Sequence, residues 1–241
     1  MKYFVLLQLL ALGSCVSPQV YRQALEREAA LQQDFQVARK ALKATDQRIA
    51  AVSDSLNILT AQIEAAKAQA SKLQANQNDT NSAANASWMS THDREVIYWL
   101  NVARLDPSGF FRRFIAADWA ANPTNSYLNS LKITMNTMKP VAALQPDRTL
   151  YEAAMCHARS SGIAGYVGHN RVNTQCKKIY YGECCSYGAA DALNVVIQLL
   201  VDEGVPSLGH REICLSASYT TIGAASATHA QYRTNTVLDF R

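Results

Sequence analysis

Residues Gln19 to Asp106 contain neither glycine nor proline. Those two residue types punctuate turns and loops, so their absence excludes a turn-rich domain there and leaves room for a long helix. Charge of one sign is also lacking. The net charge is +4 at pH 7, with acids and bases mixed along the chain, so no basic stripe for nucleic acid stands out. After the first dozen residues no apolar run is long enough to cross a bilayer. No Cys-x-x-Cys pair is present, and the vicinal Cys184-Cys185 makes a poor zinc pair, which argues against a thiolate zinc site. There is no Gly-x-Ser-x-Gly elbow and no His-Glu-x-x-His helix, so the common serine-hydrolase and zinc-protease patterns are excluded.

What is present begins at the N-terminus. Met1-Lys2 precedes a short apolar run, Tyr3 to Leu12, which ends at Gly13-Ser14-Cys15. A cationic start, a brief hydrophobic segment and small residues describe an export signal, too short for a permanent membrane helix. Leu12-Gly13-Ser14-Cys15 resembles a bacterial lipobox, which implies lipidation of Cys15 and a membrane anchor through that lipid. Five further cysteines, Cys156, Cys176, Cys184, Cys185 and Cys214, allow one or two disulfides in an exported chain, with connectivity open.

Ser17-Pro18 fits an N-cap with proline in the first helical turn. Apolar residues then recur at heptad spacing. One stripe is Phe35, Leu42, Ile49, Leu56, Ile63 and Ala70; the other is Ala38, Thr45, Val52, Leu59, Ala66 and Leu73. This pattern predicts a coiled coil and a homo-oligomer through residues 20–74. At about 1.5 Å per residue, Val20–Gln74 would reach roughly 80 Å. Residues 75–87 are polar and without periodicity, and are expected to be a linker. The expected organisation is therefore a signal peptide over 1–14, a lipid-anchored coiled-coil stalk over 15–74, a linker over 75–87 and a globular domain over 88–241.

Nine of the ten glycines and five of the six prolines lie beyond Trp88. The spacing predicts amphipathic helices over Glu95–Leu105, Leu150–Ser161 and Ala189–Leu200. Thr220–Ala227 and Asn235–Phe240, rich in Thr, Val and Ile, are predicted strands. Helices first and strands last, without βαβ alternation, indicate an α+β domain.

Chemistry concentrates between Gly165 and Arg211. Glu95-x5-Asn101-x2-Arg104, Gly168-His169-Asn170, Gly182-Glu183, the helix entering Asp202, Gly209-His210-Arg211 and Val237-Leu238-Asp239-Phe240 occur in the order found in the CAP superfamily. That family groups cysteine-rich secretory, antigen 5 and pathogenesis-related proteins, and residues 88–241 resemble its bacterial branch. The resemblance implies an α-β-α sandwich with a cleft lined by His169, Glu183, Asp202 and His210, the two histidines being the metal candidates. Two departures bear on Glu183: the family usually places Asn where this chain has Cys184, and the loop from His169 to Glu183 is long and contains Cys176.

Two imidazoles and two carboxylates can bind a divalent metal such as zinc, act as an acid–base pair, or form a satisfied polar network. Ser160, Ser161 and Ser207 are nucleophile candidates only by proximity, and Cys156-His157 are helix neighbours that point about 100° apart. The expected function is non-catalytic binding of a small apolar ligand of lipid or sterol-like type, a metal ion, or an envelope or host component. The alternative is a metal-dependent hydrolase acting on peptide or cell-wall bonds. The expected location is the bacterial cell envelope. Asn101 and Arg104 are expected to anchor the domain internally, Tyr180 and Tyr181 either to flank the cleft or to pack in the core, and His92 and His229 to lie at the surface.

Overall fold

This structure, a computed structural model, describes residues 17–241 and the side chains of all of them except 70–79. Cys15 and the signal segment lie outside the described residues. The chain divides into two units, residues 1–70 and 71–241. In the first, helix α1 (Pro18–Thr80) begins at Ser17, whose hydroxyl accepts the Val20 N–H at 3.4 Å. The heptad positions Phe35, Leu42, Ile49, Leu56, Val52 and Leu59 are all exposed. Its polar side chains bond locally, as in Lys67–Glu64 at 2.8 Å and the Thr60 hydroxyl donating to Leu56 O. No helix among the described residues is long and apolar enough to cross a membrane.

Residues 75–87 are not a structureless linker. Helix α1 continues to Thr80, and Ala83 and Ala86 are buried in the core of the second unit. The Ser82 hydroxyl donates to Leu144 O at 2.6 Å, and the Asn101 side chain donates to Ser82 Oγ at 3.0 Å. Low hydrophobicity had argued for disorder; small alanines that fit a close-packed surface, and polar groups bonded to a buried asparagine, supply the order instead.

The second unit continues with α2 (Thr91–Leu105), capped by Ser90, and α3 (Pro107–Phe110), a π-turn over Phe111–Ile115 and α4 (Ala116–Ala121). After α5 (Ser126–Thr137) come β1 (Gln145–Pro146), α6 (Arg148–Ala164), β2 (Gly182–Tyr187) and α7 (Ala192–Val201). Last are α8 (Gly209–Leu215) and the hairpin of β3 (Thr221–His229) and β4 (Arg233–Phe240). The sheet order is β1-β3-β4-β2, with β1 parallel to β3 and the other pairs antiparallel.

The period-2 pleat sends alternate side chains to opposite faces. Cys185, Ala225 and Val237 pack with Ala154 and Ala158 of α6 on one face. Cys184, Ala224 and Leu238 join Leu100 of α2, Leu200 of α7 and Cys214 of α8 on the other. The result is the expected α-β-α sandwich. Glycine lets α6 lie close on β3: a Cβ at Gly223 would fall 2.1 Å from the Tyr151 backbone nitrogen, and one at Gly162 would fall 2.0 Å from Thr228 O.

Asn101 and Arg104 are internal anchors. Asn101 both donates to Leu144 O and accepts from Leu144 N–H. The buried Arg104 guanidinium donates to the carbonyls of Ala142, Cys214, Ser216 and Tyr219, tying α2 to the turn after α8.

Candidate functional site

His169 enters the site on a backbone that glycine makes possible. Gly168 has φ of 121°, its N–H donates to the Tyr187 hydroxyl at 2.9 Å, and its carbonyl accepts from His157 Nε2 at 3.0 Å. The peptide before His169 is thus clamped between β2 and α6. His169 Nδ1 then donates to Glu183 Oε1 at 2.9 Å, and Arg171 donates to Glu183 Oε2 at 2.6 Å. Burial raises the Glu183 pKa, but hydrogen bonds from His169 and Arg171 and the Arg171 charge outweigh it and bring it down to about 2. The carboxylate is a fixed anion.

His210 is held from the other side. Asp202 ends α7 in the left-handed region (φ 57°), and its carboxylate accepts from His210 Nδ1 at 2.7 Å and from the His210 N–H at 3.0 Å. It therefore caps the start of α8, where an anion is favoured by the unpaired N–H groups. Arg211 is buried and donates to Leu200 O, Val201 O, Tyr127 O and Ser130 Oγ, fastening α8 against α7 and α5. Glu203 points elsewhere, accepting from Asn125.

The two imidazoles come together. Their ring centroids are 6.1 Å apart, His169 is half exposed and His210 one-fifth exposed, while the carboxylates behind them are almost wholly covered. Glu183 lies on the α6 face of the sheet and α8 packs on the opposite face, so the pair meets beside the edge strand β2.

A family model for the cysteine-rich secretory protein family (CAP) matches residues 97–240, more than half of the chain. The chain belongs to the CAP family. No curated protein matches. Among solved structures, an outer surface protein of Borrelia burgdorferi is similar at 18% identity and a TM-score of 0.35, over 51% of this chain and 93% of that one. An extracellular protein of Bacillus anthracis containing an SCP domain is similar at 14% identity and a TM-score of 0.32, over 48% of this chain and 39% of that one.

The departures from the CAP pattern leave Glu183 in place. Cys176 is joined to Cys156 of α6 by a disulfide, which pins the long loop, and Cys184 turns to the face opposite Glu183. The roles of several residues in and around this CAP site do not show in the sequence. His157 is buried with Nδ1 unpartnered, and burial, followed by the Arg171 charge, lowers its pKa. Arg171 was not singled out, although its position two residues after His169 was a signal. Asp239 sits directly across from Glu183 in the β2–β4 ladder with neither oxygen bonded to a donor; burial, then the Glu183 charge, raises its pKa to about 9. His229, expected at the surface, is buried: its Nε2 donates to Tyr166 O, and its Nδ1 accepts from the Gln231 and Tyr232 N–H groups, so it closes the β3–β4 turn. Tyr181 is exposed, and Tyr180 lies 5.1 Å from the Arg171 guanidinium.

Two donor sets bear on a metal in the CAP domain. With Nδ1 of each histidine given to a carboxylate, Nε2 of His169 and His210 has no hydrogen-bond partner among the described residues, the arrangement of a carboxylate-oriented metal ligand. The second set is His157, Glu183 and Cys185, whose ligand atoms lie within 4.8 Å of one another. It includes neither predicted metal histidine. Arg171 already occupies Glu183, and burial pushes the Cys185 thiol pKa up, so the set suits a cation less well. Of the serine candidates, Ser160 and Ser161 donate back to their own helix, at Cys156 O and His157 O, and Ser207 is exposed. Grooves of about 480 and 500 Å³ flank the Cys156–Cys176 disulfide, and neither is lined by any of the four predicted cleft residues.

Proposed function

We propose that this CAP domain binds a divalent cation of zinc type through Nε2 of His169 and His210, without turnover. One observation carries this: two imidazoles at 6.1 Å, each oriented through Nδ1 by a buried carboxylate. Glu183 and Asp202 fix the tautomers and raise the basicity of the ring nitrogen that faces the ion. Bound zinc would supply a Lewis acid with positions open to water or a ligand group.

Calorimetric zinc titration of the intact chain tests the proposal. Uptake by the wild type, abolished in His169→Ala/His210→Ala and retained in Cys185→Ser, is the expected result. No uptake, or uptake that depends on Cys185, overturns it. The intact chain is needed because a cut at Trp88 would remove Ala83 and Ala86 from the core.

The proposal extends to location. A disulfide is stable in an oxidising compartment outside the cytoplasm, and Cys156–Cys176 is one. Together with the lipobox-like Leu12-Gly13-Ser14-Cys15, this supports a bacterial envelope protein anchored by lipid at Cys15. The mass of the membrane-extracted N-terminus tests it; an unacylated Cys15 would remove the anchor.

A further inference from the structure

We propose that Cys184 and Cys214 form a second disulfide, a covalent tie between the two walls of the cleft. Cys184 follows Glu183 on β2, and Cys214 stands one turn after His210 on α8. Their sulfurs are 3.9 Å apart, and both side chains are buried in the same core. Closing that gap to a bond of about 2.05 Å takes less than 2 Å of sulfur movement, within the reach of side-chain rotation.

The pleat decides the partner. Cys185, the remaining thiol of the globular unit, faces α6 on the other side of the sheet, where its sulfur lies 3.8 Å from His169 Nδ1. Pairing Cys214 with Cys185 would require turning the strand over, which would carry Glu183 out of the site. The Cys156–Cys176 bond in the same chain is a separate sign of oxidising surroundings.

The bond forms by thiol–disulfide exchange with a protein or low-molecular-weight disulfide of that compartment. One cysteine thiolate attacks the donor disulfide and expels one donor thiolate. The second then attacks the mixed disulfide and expels the other. Two cysteine thiols are oxidised, the donor is reduced to two thiols, and two protons and two electrons leave the chain. With both sulfurs covered in the folded state, the exchange takes place while α8 is still settling on β2. The weak contact from the Cys184 thiol to His210 O at 3.7 Å is given up. In return, the strand that holds His169 through Glu183 is bonded to the helix that carries His210, fixing the 6.1 Å spacing.

Peptide mapping of the full chain, purified without reductant and alkylated under denaturing conditions, tests this. Trypsin places Cys184 and Cys185 in residues 179–211 and Cys214 in residues 212–233. Those two peptides should be found linked, with one alkylated cysteine between them, and the link should persist in Cys185→Ser. Alkylation of all three thiols, or loss of the link in Cys185→Ser, overturns the proposal. A reductant should lower the melting temperature of the wild type by roughly 6–12 °C more than that of Cys214→Ala. An equal fall in both proteins would count against the bond. Neither readout depends on whether the cleft takes up metal.

Discussion

Asp202 ends one helix, accepts from N–H groups in the first turn of the next and orients the histidine at its start. In the left-handed region a Cβ-bearing residue costs about 1–2 kcal/mol unless a short polar side chain bonds locally, and Asp and Asn are the types that do. Asp202→Ala should therefore lose both the cap on α8 and the local support, destabilising the chain by about 2 kcal/mol in urea titration. Asp202→Asn keeps the backbone tolerance and an acceptor oxygen, so it should cost less than half as much while still weakening zinc uptake. The role of Asp202 was legible because its place before Gly209-His210 matches a motif. Asp239 is less legible, because its partner Glu183 lies on a strand far away in sequence and only the register brings them together. Its pKa is raised to about 9 in the fold, so between about 4 and 9 the folded chain holds a proton that the unfolded chain has released, and stability falls as pH rises. Glu183 works in the opposite direction, its contribution being lost only as pH falls toward about 2. Asp239→Asn should flatten the decline: urea midpoints should exceed those of the wild type at pH 9 and approach them at pH 5. An unchanged slope would mean that the Asp239 carboxyl is ionised throughout.

At the level of elements, the contact of α6 with β3 depends on missing side chains. Gly223→Ala drives a methyl into backbone that cannot rotate away, and overpacking of this kind costs about 3 kcal/mol or more. Gly162→Ala should behave alike. Gly209→Ala, in the Gly-His-Arg motif itself, meets only Ser207 Oγ at 3.5 Å and should stay within about 0.5 kcal/mol of wild type. Thermal unfolding of the three variants checks the ranking. The sequence made α2, α6, α7, β3 and β4 legible because each has a one-sided or strongly apolar pattern. Strand β2 was not read as one: Gly-Glu-Cys-Cys-Ser-Tyr has no apolar alternation, because one of its faces carries the acid of the site. Helix α5 carries a readable signal too, with Asn125 as cap and Leu128, Leu131 and Met135 on one side. The linker expectation failed for a different reason. Composition measures how much apolar area a segment can bury, and says nothing of a buried asparagine elsewhere that needs partners.

For the whole molecule, the unresolved energetic term is the apolar stripe of α1. In one copy Phe35, Leu42, Ile49 and Leu56 stay in water along the helix, and a helix of this length with so much exposed apolar surface is stabilised by covering it. We propose that further copies of the same chain cover it, since the heptad spacing matches a self-complementary seam. Sedimentation of Val16–Arg241 should then show a concentration-dependent oligomer. Each buried Ile or Leu contributes about 1.5–3 kcal/mol and at least two copies lose it together, so Ile49→Asp should weaken association by at least about 100-fold. Because that position lies in the first unit, the melting of the CAP domain should not move with it. A wild-type monomer at every concentration would leave α1 as a single exposed helix and remove self-association from the account. A fall in CAP-domain stability with Ile49→Asp would instead mean that the two units fold as one.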